Sequence, residues 1–211
     1  MCGILGANFT NDKFKNAIKY IENRGPDFQA IKSFNNNTFA HTRLSIIDLD
    51  NEANQPMVFD EIVIVFNGEI YNYQELIKEH DLKCKTKSDT EVIIRLYQKY
   101  EKDFLNYLNG MFSFCIYNIK QNSFFCARDR YGKKPFFYYF ANNKFIFSSS
   151  IKAILELLDK KPKLNKVALS QYMQYFVSLD DNTFYQDIKK LEASSYLLLK
   201  ETNLQIKKYY K

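Results

Sequence analysis

The sequence predicts an α+β protein in which strands outnumber helices. Two observations carry this. Short apolar or alternating runs bounded by Asn, Asp or Gly recur along the chain, which is the pattern of strands. Between them lie a few stretches with apolar residues at helical spacing and polar residues opposite. At 211 residues, 46% hydrophobic and 26% charged, the chain is long and apolar enough to bury one substantial core, as a single domain with a small appendage.

In chain order, strands are expected at 2–9, 38–47, 62–66, 111–118, 123–127, 136–140 and 144–148. The first helix is expected over 11–21, with Phe14, Ala17, Ile18 and Ile21 on one face. A short helix fits 73–79. A third, over 89–100, follows Ser88-Asp89-Thr90-Glu91, a helix-start signature, and carries Val92, Ile93, Leu96 and Tyr97 on one side. Helices at 151–158 and 166–176 come later. The stretch 160–164, with Pro162, is a connector. It divides a main body at 2–160 from a C-terminal extension of the same domain at 161–211, which ends in short strands at 195–199 and 205–210.

The net charge of +6 comes from lysines scattered among Asn and Glu, with no basic block, so a nucleic-acid partner is not expected. There is no basic-then-apolar leader and no apolar run of ~18 residues, so a cytoplasmic protein without a membrane partner is expected. The four cysteines, Cys2, Cys84, Cys115 and Cys126, form no CxxC pair. With only His41 and His80 to assist them, no metal site is expected, and in a reducing compartment no disulfide. Cys115 and Cys126 lie in apolar runs and suit core thiols. All six glycines fall at or before Gly132, which places the site in the first two-thirds of the chain.

Cys2 follows Met1 directly. Removing Met1 would leave one residue holding a thiol, which titrates near ~8.5, and a free α-amine, which titrates near ~7.7–8.0. That is a nucleophile with a base beside it at neutral pH. Other polar groups gather in four places. Arg24-Gly25-Pro26-Asp27 is a rigid turn carrying opposite charges. Arg43 begins a strand and suits a forked grip on a carboxylate. Asn67-Gly68-Glu69 ends an apolar strand, where a side-chain amide and a bare backbone N–H can face one point. Asp89, at a helix start, suits an ammonium. Each has a plainer alternative: Asn-Gly as a hairpin turn, Asp89 as a helix N-cap, Arg43 as a surface strand residue, and Arg24 with Asp27 as a structural pair.

Taken in order, these pieces resemble the glutaminase domain of glutamine-hydrolysing asparagine synthetase, a class II glutamine amidotransferase. The matching runs are Met1-Cys2-Gly3-Ile4, Arg24-Gly25-Pro26-Asp27, His41-Thr42-Arg43-Leu44-Ser45-Ile46-Ile47-Asp48 and Gln55-Pro56. They continue with Asn67-Gly68-Glu69-Ile70-Tyr71-Asn72, Ser88-Asp89-Thr90-Glu91, Gly110-Met111-Phe112-Ser113-Phe114 and the run from Ala127 to Pro135. The resemblance implies an N-terminal nucleophile hydrolase fold, a four-layer αββα sandwich with two stacked antiparallel sheets between helices. It implies roles as well. Cys2 attacks the side-chain amide of glutamine and its α-amine manages the proton. Asn67 and Gly68 stabilise the oxyanion. Arg43 holds the α-carboxylate, and Asp89, with Glu69 beside it, holds the α-ammonium. It also implies a synthetase domain or subunit that uses the ammonia to amidate aspartate or another carboxylate, and a homodimer is compatible with it.

The resemblance has departures. Asn23 stands where the family usually has His, Ser150 where it usually has Glu, and Glu192-Ala193-Ser194 where it has a Pro/Gly-rich turn. The synthetase motif Ser-Gly-Gly-x-Asp-Ser is absent, because no glycine follows Gly132, so ATP and Mg are expected only in that other domain and no cofactor in this chain. Two further readings remain open on the sequence. One is a catalytically incomplete remnant or partner-binding module that retains the fold. The other is an N-terminal nucleophile amidohydrolase for a different amide.

Overall fold

The computed structural model describes residues 1–210. Twelve strands form two six-stranded sheets, and every strand pairing is antiparallel. The strands are β1 (Gly3–Ala7), β2 (Phe28–Phe34), β3 (Asn37–Arg43), β4 (Met57–Phe59), β5 (Ile62–Ile70) and β6 (Gly110–Asn118). They continue as β7 (Ser123–Arg128), β8 (Phe137–Ala141), β9 (Lys144–Ser148), β10 (Ile188–Lys190), β11 (Ser195–Lys200) and β12 (Asn203–Lys208). One sheet has the order β10-β8-β9-β1-β3-β2, the other β12-β11-β7-β6-β5-β4. The helices are α1 (Phe14–Ala17), α2 (Tyr73–Glu79), α3 (Asp89–Tyr100), α4 (Ile151–Leu157) and α5 (Lys166–Tyr175).

Side-chain alternation along the strands builds the layers. In β5, Val63 and Val65 join Ile4, Phe39, Cys115, Cys126, Phe145 and Phe147 in a core between the two sheets. The alternate residues Ile62, Ile64, Phe66 and Ile70 face the other way and pack with Val92, Ile93 and Leu96 of α3 and Leu76 of α2. On the outer face of the first sheet, Leu5, Ala7, Ala40 and Ile146 meet Phe14 and Ala17 of α1 and Ala153, Ile154 and Leu157 of α4. The result is helix on sheet on sheet on helix. Cys115 and Cys126 face each other across β6 and β7 as buried free thiols. The C-terminal segment completes both sheets: β10 pairs with β8, and β11 pairs with β7 and β12. Among the described residues, no helix is long and apolar enough to cross a membrane.

Several elements depart from the sequence reading. The expected 11–21 helix is one α-turn at Phe14–Ala17 followed by 3-10 turns at Ile18–Tyr20 and Glu22–Arg24. Its apolar face is buried as expected, and its end is tied to β3 by the Thr42 hydroxyl, which donates to the carbonyl of Ile21 at 2.8 Å alongside the backbone N–H of Arg24 at 3.1 Å. β2 was not expected, since its apolar residues Phe28, Ile31 and Phe34 recur every three positions. It forms as an edge strand because Asn35, at a φ of 54°, turns the chain back onto β3. β4 and β10 are three residues each, too short to show a period. β5 does not end before Asn67: it runs on to Ile70, pairing Asn67 with Ser113 and Gly68 with Phe112. The Asn-Gly pair is therefore neither a turn nor a strand end. Glycine is required there, because a Cβ on Gly68 would sit 2.2 Å from the Met111 carbonyl oxygen. Arg43 ends its strand rather than beginning it.

Candidate active site

The two sheets bring the predicted groups together at one end of the sandwich. Gly3 of β1 pairs with Thr42 of β3, so Cys2 and Arg43 leave the first sheet side by side. In the second sheet, Asn67 and Glu69 continue the parity of Val63 and Val65 and project between the sheets. The N-terminus of α3 closes the end with Asp89. One cavity is lined by Cys2, Arg43, Asn67, Gly68, Glu69 and Asp89, together with Met1, Gln55, Met111 and Lys134.

The nucleophile is held from two sides. Arg24 Nε donates to the Cys2 carbonyl at 3.0 Å, and the Cys2 Sγ lies 3.8 Å from the carbonyl of Leu44. Asp27 accepts the backbone N–H of Ser45 at 2.7 Å, and its own N–H donates to the carbonyl of Arg43 at 3.0 Å. Arg24 and Asp27 thus fix the backbone around Cys2 and Arg43. Burial pushes the Cys2 thiol up, against the terminal ammonium and Arg43, which favour the thiolate.

β5 supplies the candidate oxyanion site. β4 covers it only as far as Ile64, leaving the edge beyond open. The N–H of Phe66 donates to the Gln55 side-chain oxygen at 2.6 Å, and that of Ile70 donates to Asp89 at 2.9 Å. Both point away from β6. The N–H of Gly68 has the same parity and points the same way, into the cavity. The adjacent Asn67 side chain is fully buried, and neither its Nδ2 nor its Oδ1 has a hydrogen-bond partner among the described residues. A buried amide without partners is costly and uncommon. Here it stands next to a free N–H, facing the space beside Cys2.

The charged groups are arranged as a zwitterion would require. Arg43 is only 5% exposed, and among the described residues its guanidinium forms no ion pair with a carboxylate. It donates to the carbonyl of Asp50 at 3.0 Å, to the Asn54 side-chain oxygen at 2.7 Å and to the carbonyl of Asp48, all in the loop after β3. These bonds aim the guanidinium and leave its charge uncompensated. Asp89 is also 5% exposed. Burial pushes it up to about 6, against the Ile70 N–H, with Glu69 adding repulsion. Ser88, not Asp89, caps α3, accepting the N–H of Thr90 at 3.2 Å. Two neighbouring carboxylates, neither of them in an ion pair among the described residues, suit an ammonium.

Sequence reasoning missed three supporting residues. His41 is fully buried, and its Nε2 donates to the carbonyl of Phe66 at 3.2 Å, a bond that crosses from one sheet to the other. Because that carbonyl only accepts, the proton sits on Nε2. Gln55 links β5 to α3 through Phe66 and a 3.2 Å bond to the Thr90 hydroxyl. Lys134 enters the cavity from the β7–β8 loop. His41, Gln55 and Lys134 all lie in the quoted motif runs, which was the available signal.

The glutamine amidotransferase domain family matches residues 1–210. A Methanocaldococcus jannaschii protein described as a putative glutamine-hydrolysing asparagine synthetase is 38% identical over the whole of this chain, which covers 46% of that protein. Glutamine-hydrolysing asparagine synthetase 3 of Bacillus subtilis is 33% identical over the whole chain, covering 36% of its length. The chain thus spans less than half the length of these relatives. Among solved structures, the glutamine phosphoribosylpyrophosphate amidotransferase of B. subtilis shares the fold at a TM-score of 0.72 and 14% identity. That likeness covers 99% of this chain and 49% of the other. The fold is that of the N-terminal nucleophile hydrolases, and this chain belongs to the glutamine amidotransferase domain family.

Proposed function

We propose that this chain hydrolyses L-glutamine to glutamate and ammonia, with Cys2, exposed by loss of Met1, as the nucleophile. The observation that carries this reading is Asn67, whose wholly buried amide has no partner and shares a cavity with Cys2 and the Gly68 N–H. Glutamine binds with its α-carboxylate on Arg43 and its α-ammonium on Asp89 and Glu69. One ligand thereby brings a counter-charge to the buried Arg43 guanidinium and another to the buried Asp89 carboxylate.

The Cys2 thiol gives its proton to the α-amine, directly or through water, as sulfur bonds to the side-chain carbonyl carbon. The carbonyl π pair moves to oxygen, and Asn67 Nδ2 and the Gly68 N–H hold that oxyanion. The pair then returns, the C–N bond breaks, and the α-ammonium passes its proton to the departing ammonia. Water attacks the resulting thioester by the same route, giving glutamate and the free thiol.

The similarity to asparagine synthetases supports a synthetase domain or subunit as the user of the ammonia, amidating aspartate or another carboxylate with ATP and Mg bound there. The decisive experiment is glutamate release from glutamine by the mature chain, with neither ATP nor acceptor. Intact mass should confirm the loss of Met1. Release that disappears in C2A supports the proposal; a mature chain that binds glutamine but releases nothing would overturn it.

A further inference from the structure

The cavity holds one charged group that the mechanism above does not use. Lys134 is only 3% exposed, and no carboxylate lies within ion-pair distance of its ammonium among the described residues. Its Nζ contacts the Met1 sulfur at 2.7 Å, and that side chain leaves with Met1. The carboxylate of its own loop is committed elsewhere. Asp129 is fully buried and accepts the backbone N–H groups of Phe112, Tyr131, Lys133 and Lys134 at 2.9–3.2 Å. The Lys134 carbonyl accepts Arg128 Nε at 2.6 Å. The loop is therefore pinned on both sides of Lys134, and a buried, unpaired cation is held beside Cys2. Such a cation is costly unless it has a task.

We propose that Lys134 is a positioning residue for glutamine hydrolysis: its ammonium keeps the α-amine of mature Cys2 unprotonated, ready to take the thiol proton. This rests on the glutaminase reading. An α-amine that gained a proton in this space would face Lys134 and Arg24 as like charges, with Asp27 as the opposing one. With Met1 in place, burial, Arg24 and Lys134 all hold the terminal amine below its ordinary value, against Cys2 and Asp27. Lys134 is itself held low by burial and Arg24, against Asp129, Cys2 and Glu69. Arg43 and Asp89 also act on the thiol, with opposite sign. Lys134 thus adds a positive potential where a proton must not rest before substrate arrives. It also favours the thiolate that forms when the proton moves.

The amine and thiol of Cys2 titrate as a coupled pair, so removing a neighbouring cation raises both apparent values. The test compares the mature chain with K134M and K134R in two measurements across pH. One is alkylation of Cys2 by iodoacetamide, read by peptide mass, with no glutamine present. The other is kcat at saturating glutamine. K134M should move the alkylation profile and the acid limb of kcat to higher pH by ~1 unit, and K134R should leave both near those of the unsubstituted chain. Should K134M fail to fold, K134Q carries the same comparison. Superimposed alkylation profiles for K134M and the unsubstituted chain would overturn the proposal, as would a K134R shift equal to that of K134M. Because alkylation needs no glutamine, a chain that shows the shift yet releases no glutamate refutes the glutaminase reading and not the Lys134 effect on the Cys2 pair.

Discussion

The carboxylate of Asp89, in the first turn of α3, accepts the backbone N–H of Ile70 at 2.9 Å, the last residue of β5. One bond thus joins the helix that carries the ammonium-binding carboxylate to the strand that carries the oxyanion donors. The Gln55 side chain makes the matching link two turns of the pleat earlier, at Phe66. Between these two satisfied N–H groups stands that of Gly68, which faces the cavity. The open edge of β5 is pinned at both ends so that its middle can be used.

Replacing Asn67 separates function from stability. N67A should lower kcat for glutamate release by ~10²–10³, the typical cost of one oxyanion donor, with a much smaller change in KM. The thermal midpoint should not fall, because the amide being removed is buried and makes no hydrogen bond. A variant that unfolds earlier and keeps its kcat would place Asn67 in the scaffold instead.

Arg43 should be needed for binding rather than for chemistry. R43K keeps the charge but loses the fork that reaches both loop acceptors and a carboxylate. Losing a charge-assisted bond costs ~1.5–3 kcal/mol, so KM for glutamine should rise roughly ten- to hundredfold. Initial-rate kinetics read this directly, and an unchanged KM would remove Arg43 from the glutamine site.

Asp89 predicts a pH signature. In the free protein its carboxyl is pushed up to about 6, so below that pH the ammonium site loses charge. kcat/KM should therefore fall as pH drops through about 6, while kcat at saturation, with the ammonium already bound, should be less affected. D89N should raise KM at neutral pH and abolish that limb of kcat/KM. A limb that persists in D89N belongs to another group.

His41 and Asp89 act in opposite directions on stability in acid. Burial holds His41 down to about 3, below its unfolded value, so the unfolded chain binds the extra proton and stability falls as pH drops from ~6.5 toward 3. Asp89 is raised above its unfolded value, so the folded chain binds protons first and stability rises as pH falls from about 6 to ~4. Denaturant unfolding across this range should show a steeper acid loss in D89N than in the unsubstituted chain. H41Q should lose less stability in acid than the parent. Parallel pH curves for all three proteins would contradict both assignments.

The amino-acid sequence by itself determined the fold class, most element positions and the candidate site residues. Strands at Lys144–Ser148 and helices at Tyr73–Glu79 and Asp89–Tyr100 follow from local patterns of period two and 3.6, which each segment carries within itself. The motif order pointed to Cys2, Arg43, Asn67, Gly68, Glu69 and Asp89, and the structure places all six in one cavity. What only the tertiary structure decided depends on distant neighbours. β2 exists because β3 offers an edge, and the end of the 11–21 segment is tied to β3 by a bond from Thr42. Asn67-Gly68 looks like a turn locally, yet β6 runs beside it and keeps it extended. That, among the described residues, the Asn67 amide has no hydrogen-bond partner and Lys134 no carboxylate within ion-pair distance is likewise a fact of packing. A sequence names the polar groups, but whether each is satisfied depends on what the rest of the chain brings within about 3 Å of it.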